Sequence, residues 1–309
     1  LSDEPDFKPL KTELHHWWPQ CVSAYWNDAK GAVSWMKTNG EVIRAPGKRF
    51  GAISNGHYLK ANLNGEPSVW DHSFEGVFGQ ADSSFPELIN WLLGLECEHV
   101  PLRKDIREGF LPQNVDEKTL SMLVECLVSL VVRNPKFREG GVSVAEHLRG
   151  PLSEAERNGL ISANIMHCQR RIVDSFGTDG KFAVLFTRDS EFHFGDGFYH
   201  NLTSMTQNGF GARMVVPITP NVCVFFCRPN RYRTEPRLVT LMLERHEVDF
   251  FNKTIQVYAR NMLFYRNEAP ELMDYYRVGE HRVYSHPDPM NHWVQALSGV
   301  EPSRLLIDF

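Results

Sequence analysis

The chain has 309 residues, 42% of them hydrophobic, with 33 basic and 38 acidic side chains and a formal net charge of −5. That length and apolar fraction can bury a sizeable core, which excludes a disordered protein. The near balance of charge excludes a global field for nucleic acid or an anionic membrane, so a polyanion would need a local basic patch.

Residues 1–12, LSDEPDFKPLKT, are acidic and proline-broken, the opposite of a secretory signal, and read as an extended segment ahead of a domain over 13–270. The stretch HHWWPQ at 15–20 opens that domain. Neighbours in an extended segment diverge, so one tryptophan is expected in the core and the other, Trp18, on a ligand-facing surface. His16 is the candidate general base, metal ligand or phosphate contact; the plainer alternative is that the histidines hydrogen-bond and the indoles pack. Short runs follow, AVSWMK and EVIRA, divided by Thr38-Asn39-Gly40, which predicts a hairpin within a β unit over 15–65.

Positions 71–176 are helical in texture, with SSFPELINWLLGLECE, DEKTLSMLVECLVSLVVRNP and LSEAERNGLISANIMHCQRRIVDSF as three helices. Asn114 or Asp116 can cap the second and Pro135 stops it. This helix is apolar nearly all round and belongs at the centre of the helical layer, apart from a polar line of Ser121, Glu125, Ser129 and Arg133. Its run Leu120 to Val132 is too short to cross a bilayer, which needs about 20 residues. Strands return over 181–228 as KFAVLFT, SEFHF, ARMVVPIT and NVCVFFCR, read as consecutive and antiparallel. A helix over 248–266 comes next, and 271–309 form an extension packed on the domain. Antiparallel β at both ends around a central helical layer makes an α+β fold without βαβ alternation. Cys21, Cys97, Cys126, Cys168, Cys223 and Cys227 contain no C-x-x-C pair and read as free thiols of a cytoplasmic protein.

The strongest chemical signal is TRDSEFHFGDG. On a strand, Asp189, Glu191 and His193 share one face, a set that can hold a divalent cation or relay a proton, with His200 and Asn201 close in sequence. The plainer reading is a strand with its polar face in water. A nuclease pattern of acid followed by acid-x-lysine fits poorly, because His193 stands where the lysine belongs. Arg133 can stabilise anionic charge or simply complement a helix end, and Asn252 can be a site residue or a cap. The loop CRPNRYRTEPR is the one obvious basic patch, where Arg231, Tyr232 and Arg233 can contact a nucleotide or nucleic acid. No phosphate-binding loop, dinucleotide fingerprint, H-E-x-x-H or G-x-S-x-G is present.

His16-x-x-Pro19, Arg133-x-Pro135, Thr187-x-Asp189, Pro217-Ile218-Thr219-Pro220 and the late Asn252, in that order, resemble a large bacterial family catalogued as domain of unknown function 4238. The likeness runs from about residue 13 to 267. It departs where members read Ser-Asp-Asn-Pro and this chain has Thr187-Arg188-Asp189-Ser190, and where a polar QCVSAYW replaces an aliphatic opening. The resemblance implies that His16, Arg133, Asp189 and Asn252 come together in one place.

The leading expectation is a hydrolase of phosphate esters or nucleic acid, nuclease-like or phosphodiesterase-like. In it His16, Asp189, Glu191 and His193 activate water or a cation, Arg133 stabilises charge and Asn252 completes the site. The alternative is a non-catalytic module recognising a ligand or protein partner, such as a subunit of a defence or toxin-like assembly, with no membrane role.

Overall fold

The computed structural model describes residues 14–47, 50–54, 56–59, 71–200, 211–278 and 290–301. The expectations for 1–12, 60–65, Asn201 and the remainder of 271–309 fall outside the described residues.

The opening strand β1 (Leu14–His16) runs into α1 (Gln20–Ser23), and Pro19 starts the turn. The hairpin forms as expected: β2 (Ala32–Lys37) pairs antiparallel with β3 (Val42–Pro46), and Gly40 takes the positive φ of +82° that the tight turn requires. Asn39 tightens it by accepting the Glu41 N–H at 2.9 Å. Next come β4 (Ala52–Ser54), which pairs with β1, and β5 (Tyr58–Leu59), which pairs with β6 (His72–Ser73).

The helical layer follows: α2 (Gly79–Leu93), the short strand β7 (Leu111–Gln113), α3 (Glu117–Arg133), α4 (Pro135–Arg149) and α5 (Glu154–Phe176). Asp116, not Asn114, caps α3, accepting the Thr119 N–H at 2.7 Å. Pro135 does more than stop α3. Asn134 ends one helix and caps the next, and Pro135 opens α4, a helix absent from the sequence reading because its stretch holds Gly140 and Gly141 and few apolar residues. Ser153 and Glu156 form a capping box for α5. As its composition requires, α3 occupies the middle, packed on α2, α4 and α5 and touching the strand Arg213–Thr219.

The second half comprises β8 (Lys181–Phe186), β9 (Phe194–Gly195), β10 (Tyr199–His200), β11 (Arg213–Thr219), β12 (Val222–Cys227), β13 (Leu238–Met242), α6 (Arg245–Tyr258), β14 (Met262–Tyr265), α7 (Asp274–Arg277) and α8 (Met290–Ala296). One sheet has the order β10-β11-β12-β8-β13-β7 and a second β3-β2-β14-β9. The chain is α+β, with one departure from the antiparallel expectation: β13 runs parallel to β8. The second departure is at SEFHF. Only its last residue enters a strand, and that strand, β9, joins β14 in the second sheet.

The helix expected over 248–266 breaks at Tyr258. The buried carboxylate of Asp196 accepts the N–H groups of Arg260 and Asn261, turning the chain so that MLFY becomes β14 beside β2. Behind 272–276, Leu272 and Tyr276 pack on Ile255, Ala259 and Leu263, while Trp293 of α8 joins the main core. All six cysteines are free thiols, three buried and three half-buried. Among the described residues no helix is long and apolar enough to cross a membrane.

Candidate functional site

The polar line down α3 runs from water into the core: Ser121 is exposed, Glu125 half-buried, and Ser129 and Arg133 buried. Arg133 pairs bidentately with Asp82 of α2, at 2.7 and 3.1 Å, and its guanidinium lies 4.5 Å from the centre of the Phe78 ring. Its Nε donates to the Ser129 carbonyl, and Nη1 reaches the His16 carbonyl at 3.5 Å. Arg133 is therefore spent on its own chain, tying α2, α3 and the opening strand together. His16 is half-buried with Gln20 3.3 Å away, whereas His15 turns inward against Tyr58 and His57, so the two imidazoles do diverge. The tryptophans do not. Trp17 packs on Phe50 and Phe264, and Trp18 stacks on Phe194 at 4.2 Å between ring centres. Trp18 is completely buried and lines no ligand surface; β1 ends at His16 and the chain bends at Trp17 and Trp18, so strand alternation ceases to apply.

The stretch 187–193 is held outside any sheet. Thr187 Oγ1 bonds Ser190 across a turn, the Phe192 N–H donates to the Pro220 carbonyl, and the Asn252 side chain takes the place of a neighbouring strand. From the middle of α6, Asn252 accepts the His193 N–H at 2.8 Å and donates to the Glu191 carbonyl at 2.9 Å. Without strand alternation, Asp189 stands exposed while Glu191 and His193 are both buried. Glu191 is held by Arg266 at 2.6 Å and by Asn267 through backbone and side chain. Burial works against its charge, but these bonds outweigh burial and keep its pKa below the usual carboxylate range. Burial pushes His193 down to about 4, against a bond from its Nε2 to the Glu268 carbonyl at 3.0 Å.

The structure thus gathers His16 with Arg133, and Glu191 and His193 with Asn252, in two networks. The two stretches do meet, but through rings, Trp18 upon Phe194. Among the described residues no three His, Cys, Asp or Glu side chains are grouped to hold a metal ion, so Asp189, Glu191 and His193 form no cation cage. In the basic loop, Arg228 pairs with Asp179 and Arg237 with Glu117. Tyr232 is half-buried and its backbone bridges Val300, leaving Arg231 and Arg233 exposed.

A different place has the shape of a binding site. A cleft of about 790 Å³ opens between the loop after α2, the start of α6 and α8. Phe250 and Trp293, nearly parallel at 6.2 Å, lie within it, and Lys104, His246 and His292 line it. Two acids are also present, but His99 meets Glu244 at 3.0 Å and Arg103 grips Glu247. Lys104, His246 and His292 keep side chains without a partner among the described residues. Sequence reasoning missed this cleft because its parts lie in three unremarked stretches, HVPLRK, ERHE and NHW, up to about two hundred positions apart. The only signal was a histidine in each. A second hollow of about 750 Å³ is a furrow along the outer face of α5 with no aromatic wall. No protein family, curated protein or solved structure matches the chain.

Proposed function

We propose that this protein is a non-catalytic recognition module whose ligand, an anion carrying a flat ring such as a nucleotide, enters the cleft beside Phe250 and Trp293. One observation carries this reading: Lys104, His246 and His292 surround an aromatic wall with no partner of their own among the described residues. A flat ring gains stacking on such a wall, and a phosphate gains charge-assisted bonds from the ammonium and imidazoles.

A hydrolase built on His16, Asp189, Glu191 and His193 has less support, because Glu191 is neutralised by Arg266 and His193 is sealed under Glu268. On the same reading, the motifs resembling domain 4238 mark folding joints: Arg133 locks two helices and Asn252 stands in for a strand.

Calorimetric titration with adenosine monophosphate tests the proposal. Saturable binding that weakens tenfold or more in Lys104→Glu, an exposed position that leaves the core untouched, is the expected outcome. Absence of binding, equal binding by the variant, or steady hydrolysis of a phosphate ester by the wild type would overturn it.

A further inference from the structure

Two cations on the first turn of α4 are buried at their tips without hydrogen-bond partners among the described residues, Lys136 at Nζ and Arg138 at Nη1. Their situations differ chemically. Lys136 sits 4.6 Å from the centre of the Tyr258 ring, and burial pushes it down to about 8, so it can shed its proton. A guanidinium stays charged: burial lowers Arg138 only to about 10. Among the described residues Arg138 has no carboxylate of its own. The acid nearest in its field, Glu139, is bonded to Arg157 at 2.6 Å.

Arg138 Nη2 donates to the Gly56 carbonyl at 2.8 Å, which places the guanidinium beside the next residue, His57. His57 is 2% exposed, and its Nδ1 is likewise buried without a partner among the described residues. Burial, then the charges of Arg133 and Arg138, keep its ring neutral, down at about 2. A neutral imidazole carries one N–H, and with that proton on Nδ1 the ring becomes a second donor. The neighbouring charges are already assigned: Arg133 answers Asp82, and Glu75 approaches His15 at 3.7 Å from the solvent side. An uncompensated buried charge is strongly destabilising in a folded protein.

We infer that Arg138 Nη1 and His57 Nδ1 bind a monovalent inorganic anion, of which chloride is the representative, buried between the start of α4 and the segment 56–58. One uncompensated cation and two donors suit a single negative charge and fall short of what a divalent phosphate needs. The anion joins α4 to the opening β unit and owes nothing to the cleft.

The test is a crystal of the full chain grown in bromide instead of chloride, with a titration of melting temperature in sodium bromide against sodium gluconate at constant ionic strength. The expected results are an anomalous peak within hydrogen-bonding reach of both atoms and a saturable rise in melting temperature, absent from Arg138→Gln. Should that variant fail to fold, His57→Gln reads the same site, with a half-saturating bromide concentration raised several-fold. A water in place of the anomalous peak, occupancy seen only at molar bromide, or the same titration curve in wild type and variant would overturn the inference.

Discussion

Asp82→Ala leaves the Arg133 guanidinium buried with its counter-charge removed, and its cost can be worked from the geometry. Breaking a buried pair by deleting one partner costs about 3–5 kcal/mol. Arg133 is 1% exposed, but the Asp82 side chain is 38% exposed, so water recovers part of the loss. A figure of about 2–3 kcal/mol follows once that screening is applied. Two smaller effects nearly cancel: alanine is the better helix former, while Asp82 favours the first turn of α2 through the helix dipole. At about 2 °C per kcal/mol for a large domain, the melting temperature should fall by about 4–6 °C. Urea unfolding of the wild type, Asp82→Ala, Arg133→Met and the double variant measures this directly. The double variant should be more stable than the summed single costs allow by more than about 1 kcal/mol, because it removes both charges. A single-variant cost within about 0.5 kcal/mol of zero, or additive costs, would refute the bridge as a structural joint.

Asn252→Leu removes both bonds to the 191–193 stretch and strands a buried N–H and a buried carbonyl, for a loss of about 2–4 kcal/mol; urea unfolding gives the cost, and hydrogen exchange at the His193 amide should speed up most. Because His193 is held neutral at about 4, the unfolded chain takes up its proton from about pH 6.5 downwards while the folded chain does not. Stability therefore falls on acidification from about pH 6.5 to about 4, and His193→Gln should flatten the urea midpoint over pH 6 to 5, removing up to about 1.4 kcal/mol per pH unit. An unchanged pH slope in that variant would show that His193 takes its proton without unfolding. Trp18→Ala should cost about 3–5 kcal/mol in denaturant unfolding, since the indole is fully buried against Phe194 and Phe198.

What could be read from the sequence were features set by local chemistry. Thr38-Asn39-Gly40 specified its hairpin because glycine alone enters the left-handed turn cheaply, and the continuous apolar surface of 120–132 demanded a central position. What could not be read was decided by partners distant in sequence. SEFHF has strand composition, but Asn252, 59 positions from His193, supplies the bonds that a strand would have given. The residues 259–266 read as helix until Asp196, more than sixty positions earlier, is seen to bind Arg260 and Asn261. The same limit hid the cleft, whose walls come from three separate parts of the chain. Among the expected site residues, polarity within apolar motifs pointed to the buried joints Arg133 and Asn252 and equally to the exposed Asp189, and gave no indication of what the joints connect.

The position of β14 bears on how the chain is made. The hairpin of β2 and β3 completes its sheet only when β14 arrives beside β2, and β14 ends at Tyr265, more than two hundred residues after Pro46. At about 5–20 residues per second of synthesis, a nascent hairpin waits roughly 10–40 s for the neighbour that covers its open edge. During that interval Trp35 and the rest of its apolar face lack the strand that covers them, so a newborn copy carries an open sheet edge available to any other chain emerging nearby.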